Sequence, residues 1–129
     1  MSEEAELKSL LWVSSSKRDL MDMPKDVRAD FGHGLYQAQL GEHPDIAKTL
    51  SGFGGASVIE LIQDHKGDAF RAVYTVKFAE TIIVLHAFQK KSKKGIETPK
   101  QDIELIRSRL KLAEELYKEW KRKGGRNND

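Results

Sequence analysis

Phe70-Arg-Ala-Val-Tyr-Thr-Val-Lys-Phe78 decides the fold, because its side chains alternate without a break. Phe70, Ala72, Tyr74, Val76 and Phe78 fall on one side, and Arg71, Val73, Thr75 and Lys77 on the other. A period of two is the signature of a strand with one buried face. Working outward, Ser57-Val-Ile-Glu-Leu-Ile-Gln-Asp64 precedes it across a turn at His65-Lys66-Gly67-Asp68. Thr81-Ile-Ile-Val-Leu-His-Ala-Phe88 follows and is apolar on both faces, as a central strand should be. The middle of the chain is therefore a three-stranded meander.

Helices flank it. Ser9–Val13 reads as a short strand, and Ser15 or Ser16 is placed to cap a helix over 17–21. Pro24 suits the first turn of a second helix, whose Val27, Phe31, Leu35 and Ala38 recur at helical spacing until Gly41 stops them. Residues 42–56, ending in the glycine-rich Ser51–Gly55, read as loop. Thr98-Pro99 opens a long helix, with Thr98 expected as its cap. Along it Ile103, Ile106, Leu110, Ala113, Tyr117 and Trp120 step by 3, 4, 3, 4, 3, and Leu105, Leu112 and Leu116 widen that stripe. The expected architecture is α+β: a mainly antiparallel sheet with helices against one face. Residues 1–121 form a single domain, and 122–129 a flexible polar tail.

Length and composition narrow the chemistry. The 129 residues suffice for one domain, and a 39% hydrophobic content can build a core. The chain has no cysteine, which removes disulfides, zinc ribbons and thiol catalysis. No apolar run reaches the roughly 18–20 residues of a membrane span, and the acidic start is unlike a secretory signal. A cytoplasmic location is expected. The four histidines show no metal-ligand spacing, and the glycine-rich segment lacks the Lys-Ser/Thr of a phosphate loop, so neither a metal nor a cofactor is expected.

The net charge of +2 conceals a gradient. Residues 1–64 carry six Lys/Arg against eleven Asp/Glu, whereas residues 65–100 carry eight against three. Such asymmetry suits a local patch for an anionic partner. Strand pairing would bring Arg71 near His86 and the Lys90-Lys91 exit, with Lys93 and Lys94 beyond, Lys77 on the same face and Lys48 approaching from the side. Arginine and lysine grip phosphate oxygens, and histidine transfers protons near neutrality. Together they suit RNA cleavage by the RNA's own 2′-hydroxyl. Two blander readings stay open: His86 as a hydrogen-bonded structural residue, and Arg71 as the partner of Glu60 or Asp64 across the strands.

Lys48-Thr-Leu-Ser-Gly52, Val58-Ile-Glu-Leu61, Phe70-Arg-Ala-Val-Tyr74, Ile83-Val-Leu-His-Ala-Phe-Gln-Lys-Lys91 and Thr98-Pro99 with its long helix together resemble the phage-derived branch of the RelE/HigB toxin superfamily. The similarity runs from about Leu10 to Tyr117. It implies a RelE-like fold, with a small curved sheet, two N-terminal helices and a long C-terminal helix. It also implies a type II toxin that acts as a ribosome-dependent messenger-RNA endonuclease. Arg71 matches the family's phosphate-stabilising arginine, and Lys48 with Lys90-Lys91 its basic residues near the cleft. His86 matches a histidine common in this branch. The expected site is thus Arg71, His86 and Lys90 as catalytic groups, with Lys48, Lys77, Lys91, Lys93 and Lys94 binding RNA. The implied partners are ribosome-bound messenger RNA and a small helix-turn-helix antitoxin, which would dock on the last helix or on the N-terminal helices. The alternative is a non-catalytic phage-derived protein that binds such a repressor, or RNA, without cutting. Arg71→Ala is expected to leave the fold intact, as a strand-flank residue outside the core.

Overall fold

The computed structural model describes residues 6–55, 57–90 and 97–125. In chain order these form β1 (Ser9–Trp12), α1 (Ser16–Met21), α2 (Lys25–Gln39), β2 (Ala47–Thr49), β3 (Val58–His65), β4 (Asp68–Thr75), β5 (Thr81–Lys90) and α3 (Lys100–Arg122). The fold is α+β, as the sequence indicates. One sheet has the order β1-β5-β4-β3-β2. Its pairings are antiparallel except for β1, which lies parallel to β5.

Helices cover both faces, which corrects the expectation of a single covered face. Val27, Phe31, Leu35 and Ala38 of α2 pack with Leu61, Phe70, Ala72, Tyr74, Ile82 and Val84. On the other side Ile106 and Ala113 of α3 pack with Val58, Val73, Ile83 and Leu85. The doubly apolar strand 81–88 is the sequence trace of this arrangement: β5 needs hydrophobic side chains on each side because each side meets a helix. The turn after α2 is also as read, with Gly41 at φ +87° immediately beyond the cap residue Leu40.

Three local differences follow from physical causes. First, β4 ends at Thr75, with a register shift between Val73 and Tyr74, so the alternation does not carry to Phe78. Val76 stays with the α2 core, while Phe78 crosses to the α3 side and stacks on Tyr117 at 5.0 Å between ring centres. Second, Ala47–Thr49 forms an edge strand inside the expected loop. Three residues are too few to show a period. Third, Ser15 stands at the N-cap of α1 as expected, but neither its hydroxyl nor that of Thr98 bonds a helix N–H. Ser16 Oγ donates to the carbonyl of Val84, Ser15 Oγ to Asp19, and Pro24 and Pro99 occupy the cap positions of α2 and α3.

At its other end α3 closes with two hydrogen bonds, Gly125 N–H to the carbonyl of Trp120 at 2.8 Å and Gly124 N–H to that of Lys121 at 3.1 Å. This is a Schellman turn, and Gly124 supplies the positive φ of 101° that it needs. Residues 126–129 of the expected tail lie outside the described residues.

The stripe on α3 divides by depth. Ile106 is fully buried, whereas its neighbour Leu105 is 37% exposed. Ile106→Ala should therefore cost about 2–5 kcal/mol by leaving a cavity between helix and sheet. Leu105→Ala should stay within about 0.5 kcal/mol. Urea unfolding midpoints of the two variants check this, and equal losses would contradict the assignment of the buried face.

Candidate active site

The face of the sheet above α3 gathers charged residues from four adjacent strands. Register sets it: Lys48 of β2 lies opposite Glu60 of β3, Glu60 opposite Val73 of β4, and Val73 opposite His86 of β5. Residues directly opposite share a face. One row nearer the end, Arg71 stands opposite Phe88, and beyond it Ala69 stands opposite Lys90. Side chains two apart along a strand share a face. Glu60, Arg71, His86 and Lys90 therefore share one face of the sheet, and all four are buried, at 0%, 3%, 6% and 5% exposure. Lys48 joins the row from the edge and is exposed.

Arg71 Nη1 donates to Glu60 Oε1 at 3.1 Å. The other carboxylate oxygen, Oε2, accepts from the hydroxyl of Thr98 at 2.8 Å. Thr98 thus ties the start of α3 to β3 rather than capping the helix. Nε of Arg71 is buried with no hydrogen-bond partner, so the guanidinium keeps donor capacity to spare. The expectation that Arg71→Ala leaves the fold intact does not survive this geometry. Removing one partner of a buried ion pair strands the other charge, at a cost of about 3–5 kcal/mol.

His86 sits in a second network. Its Nε2 is 2.8 Å from Asp102 Oδ1 in the first turn of α3, and its Nδ1 is 3.4 Å from Nη1 of Arg109. A guanidinium only donates, so Nδ1 is the acceptor and Nε2 carries the proton towards Asp102. Arg109 also donates to the carbonyl of Leu85 at 3.0 Å and to Ser15 Oγ at 3.3 Å, joining α3 to β5 and to the entry of α1. The ring of Phe88 stacks on the imidazole at 4.5 Å. Burial pushes the pKa of His86 down from its ordinary value, and Asp102 partly opposes the shift.

Lys77 does not join this group. It lies beyond the end of β4, exposed, with its ammonium 5.6 Å from the ring centre of Phe78, and so is not a strand neighbour of Arg71. Lys91, Lys93 and Lys94 lie outside the described residues. Tyr74 of the Arg-x-x-Tyr segment points into the α2 core, where burial raises its hydroxyl to about 12. No group of three or more metal-ligating side chains occurs among the described residues. No helix there is long and apolar enough to cross a membrane.

Glu60, Thr98, Asp102 and Arg109 were not picked out as site residues from the sequence. Three of them left a signal. Glu60 is a carboxylate inside the apolar run Val58–Ile62, and Asp102 and Arg109 sit at helical spacing with the buried Ile106 and Ala113.

The profile of the phage-derived protein Gp49-like family matches residues 18–111. The chain belongs to this family. The Gp49-like proteins are toxins of the RelE/HigB type from toxin–antitoxin systems. Among solved structures, the chain is similar to the toxin–antitoxin complex RelBE2 from Mycobacterium tuberculosis, at 15% identity and a TM-score of 0.46, over 70% of this chain and 100% of that one. No curated protein matches the sequence. The matched family segment contains Glu60, Arg71, His86, Lys90, Thr98, Asp102 and Arg109.

The lowered pKa of His86 gives a pH test. Its unfolded value is about 6.5, and the native state resists protonation. The unfolded chain therefore binds the extra proton more readily, and stability falls as pH drops through about 6.5 towards the native value. Urea midpoints should decline between about pH 7.5 and 5.5 in the wild type, and the part due to this imidazole should vanish in His86→Asn. An NMR titration placing His86 above 6.5 would contradict the assignment.

Proposed function

We propose that this Gp49-like toxin is an endoribonuclease that cuts messenger RNA on the ribosome through the RNA's own 2′-hydroxyl. The observation that supports it best is that a carboxylate, a guanidinium and an imidazole from β3, β4 and β5 share one face. Glu60 is the base: it exchanges the hydroxyl of Thr98 for the 2′-hydroxyl of the substrate and takes its proton. The freed oxygen attacks phosphorus, and the bond to the 5′-oxygen breaks. Arg71 and Lys90, with Lys48 from the edge, hold the negative charge that builds on the phosphate. The departing 5′-oxygen takes its proton from the imidazolium form of His86, which Asp102 favours at Nε2 and which returns to neutral imidazole as it gives the proton up. The products are a 2′,3′-cyclic phosphate and a 5′-hydroxyl. Each proton transfer is worth roughly 10² to 10⁴-fold. Lys77, Lys91, Lys93 and Lys94 complete the basic surface for RNA, and a helix-turn-helix antitoxin neutralises the toxin in the cell.

One observation favours a second reading. Arg71 and Glu60 are buried and paired to each other, as a purely structural ion pair would be. On that reading the protein binds its antitoxin-like partner or RNA and cuts nothing.

Induced expression separates the two. The nuclease reading predicts growth arrest and new 5′ ends inside translated messages. It also predicts that Arg71→Lys, which keeps the charge but not the fork, loses most of the cleavage. Circular dichroism of the purified variant checks that it still folds. Arrested cells with intact messages would favour the non-catalytic reading.

A further inference from the structure

A second cationic site lies on the α3 side, where the chain leaves β4 and the glycine-rich segment approaches β3. Lys77 follows β4, Arg107 and Lys111 stand one turn apart on α3, and Gly52–Gly54 bring Phe53 between them. They line a cavity of about 280 Å³, together with Leu110 and the single carboxylate of Glu114. The guanidinium of Arg107 lies over the ring of Phe53, with Cζ 4.7 Å from the ring centre. Its Nη1 donates to the carbonyl of Gly52 at 3.1 Å. Gly52 has φ +93°, a backbone state that glycine adopts without strain. The arginine is thus held in place by a ring on one side and a backbone carbonyl at its edge. The outer face of that plane and the two flanking ammonium groups remain for a ligand.

We propose that this cavity is a binding site for single-stranded RNA, in which one base stacks on the Arg107–Phe53 platform while Lys77 and Lys111 hold the adjoining phosphates. Lysines alone would suit any anion. A stacking plane among them selects a ligand that alternates rings with phosphates, and single-stranded nucleic acid does so. Position fits as well. Thr75, the last residue of β4, is already about 13 Å from Arg71 at strand rise, and Lys77 lies beyond it, too far for the same nucleotide. The site would hold a flanking part of the strand and set its direction across the catalytic groups. The inference rests on the RNA-directed reading given above, but it does not need cleavage to occur.

Fluorescence anisotropy of the full chain with a labelled single-stranded RNA of about twelve nucleotides tests it, at several salt concentrations. Arg107→Ala should weaken binding by about tenfold, the worth of one stacked base. The double variant Lys77→Glu/Lys111→Glu should also bind more weakly, and its salt slope should fall by about 1.4. Lys118→Glu, on the same helix outside the cavity, serves as the control and should change little. Wild-type binding by both cavity variants, equal loss in the control, or no RNA binding by the parent chain would each overturn the inference. If the parent binds RNA through this cavity but cuts none, the inference stands and the nuclease reading falls. If it cuts RNA while the cavity variants bind normally, the reverse holds.

Discussion

The ion pair between Arg71 and Glu60 constrains everything around it. Two unlike charges on neighbouring strands, both out of water, require each other and further hydrogen bonds to be tolerated. Thr98 supplies one of these to the free carboxylate oxygen, and so draws the start of α3 onto the sheet. The helix then brings Asp102 and Arg109 to the two nitrogens of His86. Each step depends on the one before: strand register pairs the charges, the pair fixes the helix start, and the helix orients the imidazole.

The same constraint sets the energetic character of the site. Four ionisable side chains with less than a tenth of their surface exposed are held by partners, and the hydrophobic clusters on either face of the sheet provide the rigidity. A group such as Glu60 acts on a substrate only by giving up a protein partner. Thr98 is suited to that exchange, since its hydroxyl donates to the carboxylate as a ribose hydroxyl would. In the proposed mechanism the unpartnered Nε of Arg71 would meet a phosphate oxygen only once the substrate displaces the groups that bury it. A cavity of about 690 Å³ lies elsewhere, across the end of β5, where Asp19, Asp22 and Asp68 outnumber the single lysine, Lys66.

Much of this was legible in the residues. Alternation along 70–75 and the doubly apolar 81–88 gave strand identity and order, and pairing of those strands brought Arg71 beside His86. The covering of both faces was present in the same data, since only a strand between two helical layers needs Ile82 and Ile83 both buried. What escaped was long-range or local in a way that periodicity does not report. Thr98 has the right type and position for a helix cap, yet a carboxylate 38 residues away claims its hydroxyl. Lys77 fits the alternation, but the chain leaves the sheet before reaching it. Glu60 was legible only as a possible partner of Arg71, and its position between Arg71, Thr98 and Lys48 required the fold.

Whether the buried pair does chemistry or only holds strands together is decided by the ends it leaves on RNA. A defined message cut in a translating extract with purified toxin should carry 2′,3′-cyclic phosphate termini, and Glu60→Gln should yield none while still binding RNA. Uncut message with the wild-type protein, or 3′-hydroxyl termini in its place, would contradict the assignment of Glu60 and Arg71 as the groups that act on the scissile phosphate.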